Sequence, residues 1–317
     1  MKDFTNKIAV VTGGGTGMGR ELVRQLVSSG CNVATCDVIE ENLQETLMIT
    51  LSESTDVKIT AHVCDVSSEK EVFRFKDEVI EEQETDHINL LFNNAGIGGG
   101  ASFVEGDQDE WEKTFAICWF GVYFCSRAFM PYLVASSEGH IINTSSVNGF
   151  WASLGASPHT SYSAAKFAVK GFTESLIQDF RVNAPHLRAS VVMPGHIGTS
   201  IAINSEKILG QKEPRNLSDK EVKKIKEQWI LLGAPVHNFS NDQIIEAINQ
   251  RRDDFMKNAP TSSAQAAEII LKGVREEKWR ILVGEDAKEM DLRVRENPEE
   301  AYDIDFVTPF NSLNEEE

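Results

Sequence analysis

The chain has 317 residues, 41% of them apolar, enough to bury the core of one large domain or two small ones. It carries 49 acidic against 31 basic residues, a net charge of −18, which argues against nucleic acid or an anionic membrane as partner, since both need a basic footprint. Five cysteines with no Cys-x-x-Cys pair and no metal-ligand spacing point to free thiols in a reducing compartment and to no metal site.

Near the N-terminus the only apolar run is IAVV, too short for a signal peptide, and no membrane span is indicated, so a cytoplasmic protein is expected.

In chain order, short apolar runs alternate with helical stretches. KIAVV (7–11), CNVATC (31–36), VKITAHV (57–63), INLLFN (88–93), HIINTS (140–145), LRASVVM (187–193) and WRILV (279–283) read as strands, several apolar almost throughout, as parallel strands covered on both faces are. Ser68, Ser218, Ser240 and Ser262 each precede Glu or Gln by three residues, the capping-box pattern of a helix start. The alternation predicts a doubly wound α/β fold in one domain. Residues 200–262 interrupt it with two extra helical candidates and no strand, an insertion at the carboxyl edge of the sheet before the last strand. The segment 286–317 reads as a solvated acidic extension, because residues 285–317 hold 12 Asp/Glu against 3 Lys/Arg.

TGGGTGMGRELV (12–23) follows the first strand and leads into a helix. Glycines there allow a tight turn and let a diphosphate approach free N–H groups at the helix N-terminus. The competing reading is a glycine turn that merely lets helix and sheet pack closely. Asp37 ends the second strand 18 residues after Gly19, where a carboxylate can accept both hydroxyls of an adenosine ribose. No Arg or Lys lies within the loop or just after Asp37 to neutralise a 2′-phosphate, so NAD is favoured over NADP.

In SYSAAK (161–166), Tyr162 and Lys166 share one helix face a turn apart, with only small residues between them. Taken together, these motifs resemble the short-chain dehydrogenase/reductase family over about residues 5–200 and again near 260–285. The resemblance implies a Rossmann-type domain over residues 1–285, with 200–262 as a substrate lid. It implies that Gly13, Thr16, Gly17, Met18 and Gly19 form the cofactor loop, that Asp65 and Val66 contact adenine, and that Asn93, Ala95 and Gly96 belong to the Asn-Asn-Ala-Gly motif ending the fourth strand. Pro194, Gly195, Ile197 and Thr199 would hold the nicotinamide carboxamide.

Ser146, Tyr162 and Lys166 would form the catalytic set. A phenol beside an ammonium and the positive ring of an oxidised nicotinamide can give up its proton more readily, so Tyr162 can act as base and acid toward a substrate hydroxyl. By resemblance Lys166 also holds the nicotinamide ribose and Ser146 the substrate oxygen. Ser145, Ser153 and Ser157 are poorer candidates than Ser146, which closes the fifth strand.

Two departures stand out. Cys118 occupies the place of an asparagine that in the family helps hold a proton-relaying water. A thiol would support such a water poorly, and Cys118 also reads as a small buried packing residue. Ser146 precedes Tyr162 by 16 positions, longer than the family's spacing, so 148–160 must bulge and bring Phe150, Trp151 and His159 near a substrate, with His159 read as a solvent-exposed loop residue.

Trp229, Ile230, Leu231, Leu232, Phe239, Phe255 and Met256 read as packing of the insertion on itself, some facing the cleft, which implies a largely apolar alcohol or ketone substrate. The resemblance implies a homodimer or homotetramer through helices near 109–135 and 161–183, although Phe167, Phe172, Leu176 and Phe180 could equally pack on the sheet. A non-catalytic NAD-binding regulatory or redox-sensing protein is the alternative function, and Cys118 gives it its weight.

Overall fold

The computed structural model of the chain describes residues 1–53, 56–99, 102–152, 158–231, 233–303 and 306. Ser153, Ser157, Leu232 and residues 307–317 of the acidic extension lie outside the described residues.

In chain order the elements are β1 (Ile8–Thr12), α1 (Gly17–Ser28), β2 (Asn32–Asp37), α2 (Glu40–Glu53), β3 (Ile59–Val63), α3 (Glu69–Gln83), β4 (Leu90–Asn93), α4 (Gln108–Phe115), α5 (Gly121–Ala135), β5 (Gly139–Thr144), α6 (Thr160–Asn183), β6 (Leu187–Pro194), β7 (Ile197–Gly198), α7 (Ile201–Leu209), α8 (Asp219–Leu231), α9 (Asn241–Lys257), β8 (Thr261–Ser262), α10 (Ser263–Arg275), β9 (Arg280–Val283) and α11 (Glu285–Glu296). Each of the seven apolar runs forms a strand of one parallel sheet in the order β3-β2-β1-β4-β5-β6-β9. The order reverses between β1 and β4, and a crevice opens there at the carboxyl ends of the strands, where a doubly wound sheet binds its ligand.

Both faces are covered. On one, Val10, Leu91 and Ile141 meet Phe75, Cys125 and Phe129. On the other, Val11, Leu90 and Val192 meet Leu22, Leu26, Ile270 and Val274. Burial on both faces is why these strands are apolar without alternation.

Of the four capping boxes, those at Ser218, Ser240 and Ser262 close reciprocally with Glu221, Gln243 and Gln265. At Ser68 only half forms, because Glu71 Oε2 accepts from Asp65 N at 3.0 Å instead.

Three features differ from the sequence reading. Among the described residues the insertion has three helices, not two, and it carries strand after all, since β8 pairs in parallel with β7. The span Gln108–Ala135 is long and apolar enough to cross a membrane by length and composition, but half of its most apolar window is buried inside the protein, as in a core helix. Lys113 and Arg127 break the span into shorter uncharged runs, which hides its apolar character in the sequence. On α6, the face named above divides: Leu176 and Phe180 are buried, Phe172 is half-buried and Phe167 is 43% exposed.

Candidate active site

The crevice begins where β1 turns into α1. Gly13 and Gly17 adopt left-handed backbone, φ +70° and +55°, which favours glycine. The N–H groups of Gly13 and Gly14 donate to Cys36 O at 2.7 and 3.0 Å, which folds the loop over the end of β2. A Cβ on Gly19 would lie 1.9 Å from Gly13 O, so the helix could not begin so close beneath the loop with any other residue. Thr16, the N-cap of α1, makes no side-chain cap bond, and Thr16, Gly17, Met18 and Gly19 line a cavity of about 340 Å³ with the first turn of the helix open to it.

Asp37 lies at the end of β2. Its Oδ2 accepts from Gly15 N at 3.0 Å and its Oδ1 from Ile39 N at 3.1 Å. Burial raises its carboxyl above the ordinary range, and these N–H groups and Arg20 partly oppose the rise. Arg20, one residue past the loop, is a cation the sequence reading passed over. Its guanidinium donates to Gly15 O at 2.6 Å and to Glu45 Oε2 at 2.6 Å, so its charge is already paired. Asp65 and Val66 line the same cavity. The Asp65 carboxylate accepts from Ser67 N and Oγ at 2.9 and 2.7 Å.

The end of β4 is tied to the loop through Thr12, whose Oγ1 accepts from Asn94 N and Ala95 N, each at 3.0 Å. Asn94 also donates to Thr12 O at 3.2 Å and faces the cavity with Ala95 and Gly96. The Asn93 side chain turns into the interior, donating to Asn143 Oδ1 at 2.8 Å and Ser126 Oγ at 3.1 Å. Of the two asparagines, Asn94 is therefore the one that lines the crevice.

Lys166 is 3% exposed, and its ammonium donates to Thr144 O at 2.9 Å. The same ammonium lies 5.4 Å from the centre of the Tyr162 ring, which is half-buried one helical turn earlier. A Cβ on Gly96 would lie 3.3 Å from Lys166 Nζ and 3.7 Å from Cys118 Sγ, so β4, α6 and the α4–α5 span converge on this glycine.

Cys118 sits in a π-helical turn, Ala116–Phe120, between α4 and α5. It is fully buried, and its thiol donates to Ile97 O at 3.3 Å, a bond as well as packing. Such a turn displaces one residue out of register and is frequent at functional sites.

Ser146 follows β5 and caps a 3₁₀ turn, Val147–Gly149, its Oγ accepting from Asn148 N at 3.1 Å. Ser145 Oγ donates to Lys166 O at 2.7 Å, fixing the turn on α6, so its hydroxyl is committed to structure.

The bulge after Ser146 departs from expectation. Trp151 is 1% exposed, and with Phe150 packs on Met290, Ala301 and Phe306 rather than toward a substrate. The acidic extension is correspondingly not a wholly solvated tail: α11 buries Ala287, Met290 and Asp291. His159 is half-buried rather than exposed; burial lowers its pKa and a hydrogen bond with the Gly99 backbone opposes that.

Pro194, the last residue of β6, and Ile197 beyond it are buried, and Ile197 joins the sheet's core. Gly195 N donates to Val283 O at 3.0 Å, and its α-carbon faces the Asp286 carboxylate, where a Cβ would lie 2.2 Å from oxygen. Thr199 packs on Gly17 at the cavity wall. Asn204, on α7, donates to Thr16 Oγ1 at 3.1 Å and brings the insertion over the glycine loop. Asn204, Lys207 and Ile208, with Ile39 and Ile117, also line the cavity, and none had a sequence motif to mark it. Trp229 and Ile230 pack within the insertion, while Phe255 meets His196 at a tilt of 33° with ring centres 4.4 Å apart. A larger groove, about 650 Å³, lies at the opposite ends of the strands beside Leu187 and Trp279 and carries none of these groups.

The family model described as short chain dehydrogenase matches residues 7–208. The chain belongs to this family. Among its relatives, SadH of Mycobacterium tuberculosis is 30% identical over 295 residues, 93% of this chain and 92% of that one. The levodione reductase of Leifsonia aquatica is 29% identical, over 68% of this chain and 79% of its own. Among solved structures, a short-chain dehydrogenase/reductase from Burkholderia phymatum in complex with NAD superposes with a TM-score of 0.74 at 25% identity, covering 95% of each chain. A metagenomic short-chain oxidoreductase in complex with NADP reaches 0.54 at 28% identity, over 61% of this chain and 83% of that one.

As a short-chain dehydrogenase, the chain is an oxidoreductase of CH–OH groups that uses a nicotinamide cofactor. The residues present fit such a group: a glycine cradle that Cβ atoms would fill, an open helix N-terminus and a carboxylate at the end of β2.

Proposed function

We propose that the chain interconverts a largely apolar secondary alcohol and its ketone with NAD, using Tyr162 as acid and base. The observation that carries this reading is the convergence of Tyr162, Lys166 and Gly96 beside the glycine cavity. Preference for NAD is supported by Asp37 at the ribose position, since a carboxylate repels a 2′-phosphate, and by the pairing of Arg20 with Glu45, which leaves that cation engaged elsewhere. An apolar substrate is supported by Ile97, Ile117, Ile201 and Ile208 in the cavity wall. The insertion's aromatic residues no longer support it, because Trp229 packs inside the insertion.

A bound nicotinamide supplies the hydride acceptor or donor. Ser146 Oγ orients the substrate oxygen, and the turn Val147–Gly149 holds that hydroxyl. Tyr162 takes the hydroxyl proton as the carbonyl forms and returns it in the reverse direction. Lys166, buried with its Nζ 5.4 Å from the centre of the phenol ring, stabilises the phenolate through that step. Gly96 leaves room for the ammonium. In this reading the protein works in the cytoplasm as a homo-oligomer; its five cysteines are all free and buried, which suits a reducing compartment.

The test follows NADH and NADPH absorbance with secondary alcohols and ketones on wild type and Tyr162→Phe. The expected result is turnover with NAD(H), reduced by about 10²–10⁴-fold in the variant. NADH binding without turnover across the panel would overturn the catalytic reading in favour of a regulatory NAD-binding protein, and stronger activity with NADPH would overturn the cofactor preference.

A further inference from the structure

We propose that the C-terminal extension is a positioning element of the catalytic crevice, fastening the turn that carries Ser146 and the segment after β6 to one C-terminal segment, α11 and the chain that follows it. The inference rests on the assignment of Ser146 and Tyr162 to the chemistry.

Two contacts sit at opposite ends of the extension. At its start, β9 passes into α11 through Gly284, whose φ of +103° turns the chain sharply back. Asp286 then sits between two glycines: Cβ atoms on Gly195 and Gly284 would lie 2.2 and 2.3 Å from its carboxylate oxygens. Its Oδ2 accepts from His196 N at 2.6 Å, so the backbone between Pro194 and Thr199 hangs on this carboxylate. Asp286 Oδ1 is buried without a partner, and a buried acceptor of that kind is retained at a cost.

At the far end, the chain beyond α11 returns to the bulge. Trp151 Nε1 donates to Ala301 O at 2.6 Å, and Ala152 N donates to Tyr302 OH at 3.2 Å. The Trp151 ring meets Phe306 edge-on at 5.7 Å between centres, and the Arg293 guanidinium covers Phe306 from 4.4 Å. Arg280 of β9 is paired with Asp291 of α11, with side chains 12% and 9% exposed, and lies 5.7 Å from the Phe150 ring. A small second core, Trp151 with Met290, Ala301 and Phe306, is thus made jointly by the bulge and the extension.

The link to the chemistry is short. Trp151 N and Phe150 N both donate to Val147 O, at 2.9 and 3.1 Å, and Asn148 N donates to Ser146 Oγ. Loosening Trp151 therefore frees the turn whose amide fixes the serine hydroxyl. An error near 1 Å at such a group costs up to ~10²-fold in rate. Among the described residues no hydrogen bond joins the glycine loop, Asp37 or Thr12 to residues 147–152, so cofactor binding should be indifferent to the bulge.

The experiment compares wild type, Trp151→Phe, Tyr302→Phe and the double variant in the full chain. It measures kcat and KM for an alcohol the wild type oxidises, NADH affinity by fluorescence, and amide exchange of residues 147–152. Trp151→Phe keeps the ring and loses the indole donor; Tyr302→Phe keeps an exposed ring and loses the phenol oxygen that accepts from Ala152 N. The expected result is kcat lowered about tenfold in the double variant, NADH affinity within about twofold of wild type, and faster exchange confined to 147–152. Unchanged kcat and exchange would overturn the proposal, and so would a parallel fall of kcat and NADH affinity, the mark of a merely structural contact. Should Trp151→Phe open the whole sheet, Tyr302→Phe alone decides by the same readouts. If the wild type turns over no alcohol or ketone, the catalytic assignment fails, yet exchange at 147–152 still separates a brace from an inert tail.

Discussion

Asp37 is held by Gly15 N and Ile39 N, and burial pushes its carboxyl above the ordinary range. Ribose hydroxyls donate to the ionised form, so protonation competes with binding. Because the pKa is raised, the competition begins at a higher pH than for an exposed aspartate. NADH affinity should therefore be full near neutrality and fall as the solution is acidified. Fluorescence titration across that range checks it, with Asp37→Asn expected to bind about tenfold or more weakly and to lose most of the pH dependence. Gly19→Ala is harsher. Its Cβ would strike Gly13 O, a backbone atom that cannot turn aside, so NADH binding should be abolished while the strands, which lie behind the loop, keep their circular dichroism.

At the level of elements, the α4–α5 span turns on its π-helical segment. Cys118 donates its thiol to Ile97 O there, next to the point where Lys166 and Gly96 meet. Cys118→Ala removes a buried bond and part of a side chain, and should lower stability by about 1–2 kcal/mol, read by urea unfolding. If the thiol's task is to hold the span, kcat falls only a few-fold. A loss as large as that of Tyr162→Phe would instead place Cys118 in the proton path.

The strands and the glycine loop were legible in the sequence because their signals are local: apolar runs of strand length, and glycines where the backbone needs φ > 0 or a close approach. Ser146, Tyr162 and Lys166 were legible by resemblance, through spacing. What was not legible depends on contacts distant in sequence. Trp151 looked like a substrate contact until Ala301, 150 residues later, was seen to take its N–H. Asn204 belongs to the cavity only because α7 folds back on Thr16, 188 residues earlier. Arg20 was overlooked because its neutralising partner, Glu45, comes from the next helix.

For the molecule as a whole, one source of acid sensitivity is a histidine buried within the sheet. His140, in β5, is 1% exposed; its Nε2 lies 2.7 Å from Ser190 Oγ, and that hydroxyl donates to Lys278 O at 2.6 Å. Its Nδ1 is buried with no partner. Burial above all, then the positive N-terminus and Arg188, push the imidazole down to about 3, with Glu277 opposing. The unfolded chain takes up that proton near 6.5, so the folded state binds fewer protons between the two values. The contribution of neutral His140 is therefore complete above about 6.5 and is lost progressively as pH falls toward about 3. The slope is about 1.4 kcal/mol per pH unit across that window. His140→Gln, which cannot titrate, should be less stable than wild type at neutral pH because it disturbs the bond to Ser190. Urea unfolding at stepped pH should show the gap between the two proteins narrowing as the solution is acidified. A gap that stays constant from neutrality downward would mean that another group carries the acid sensitivity.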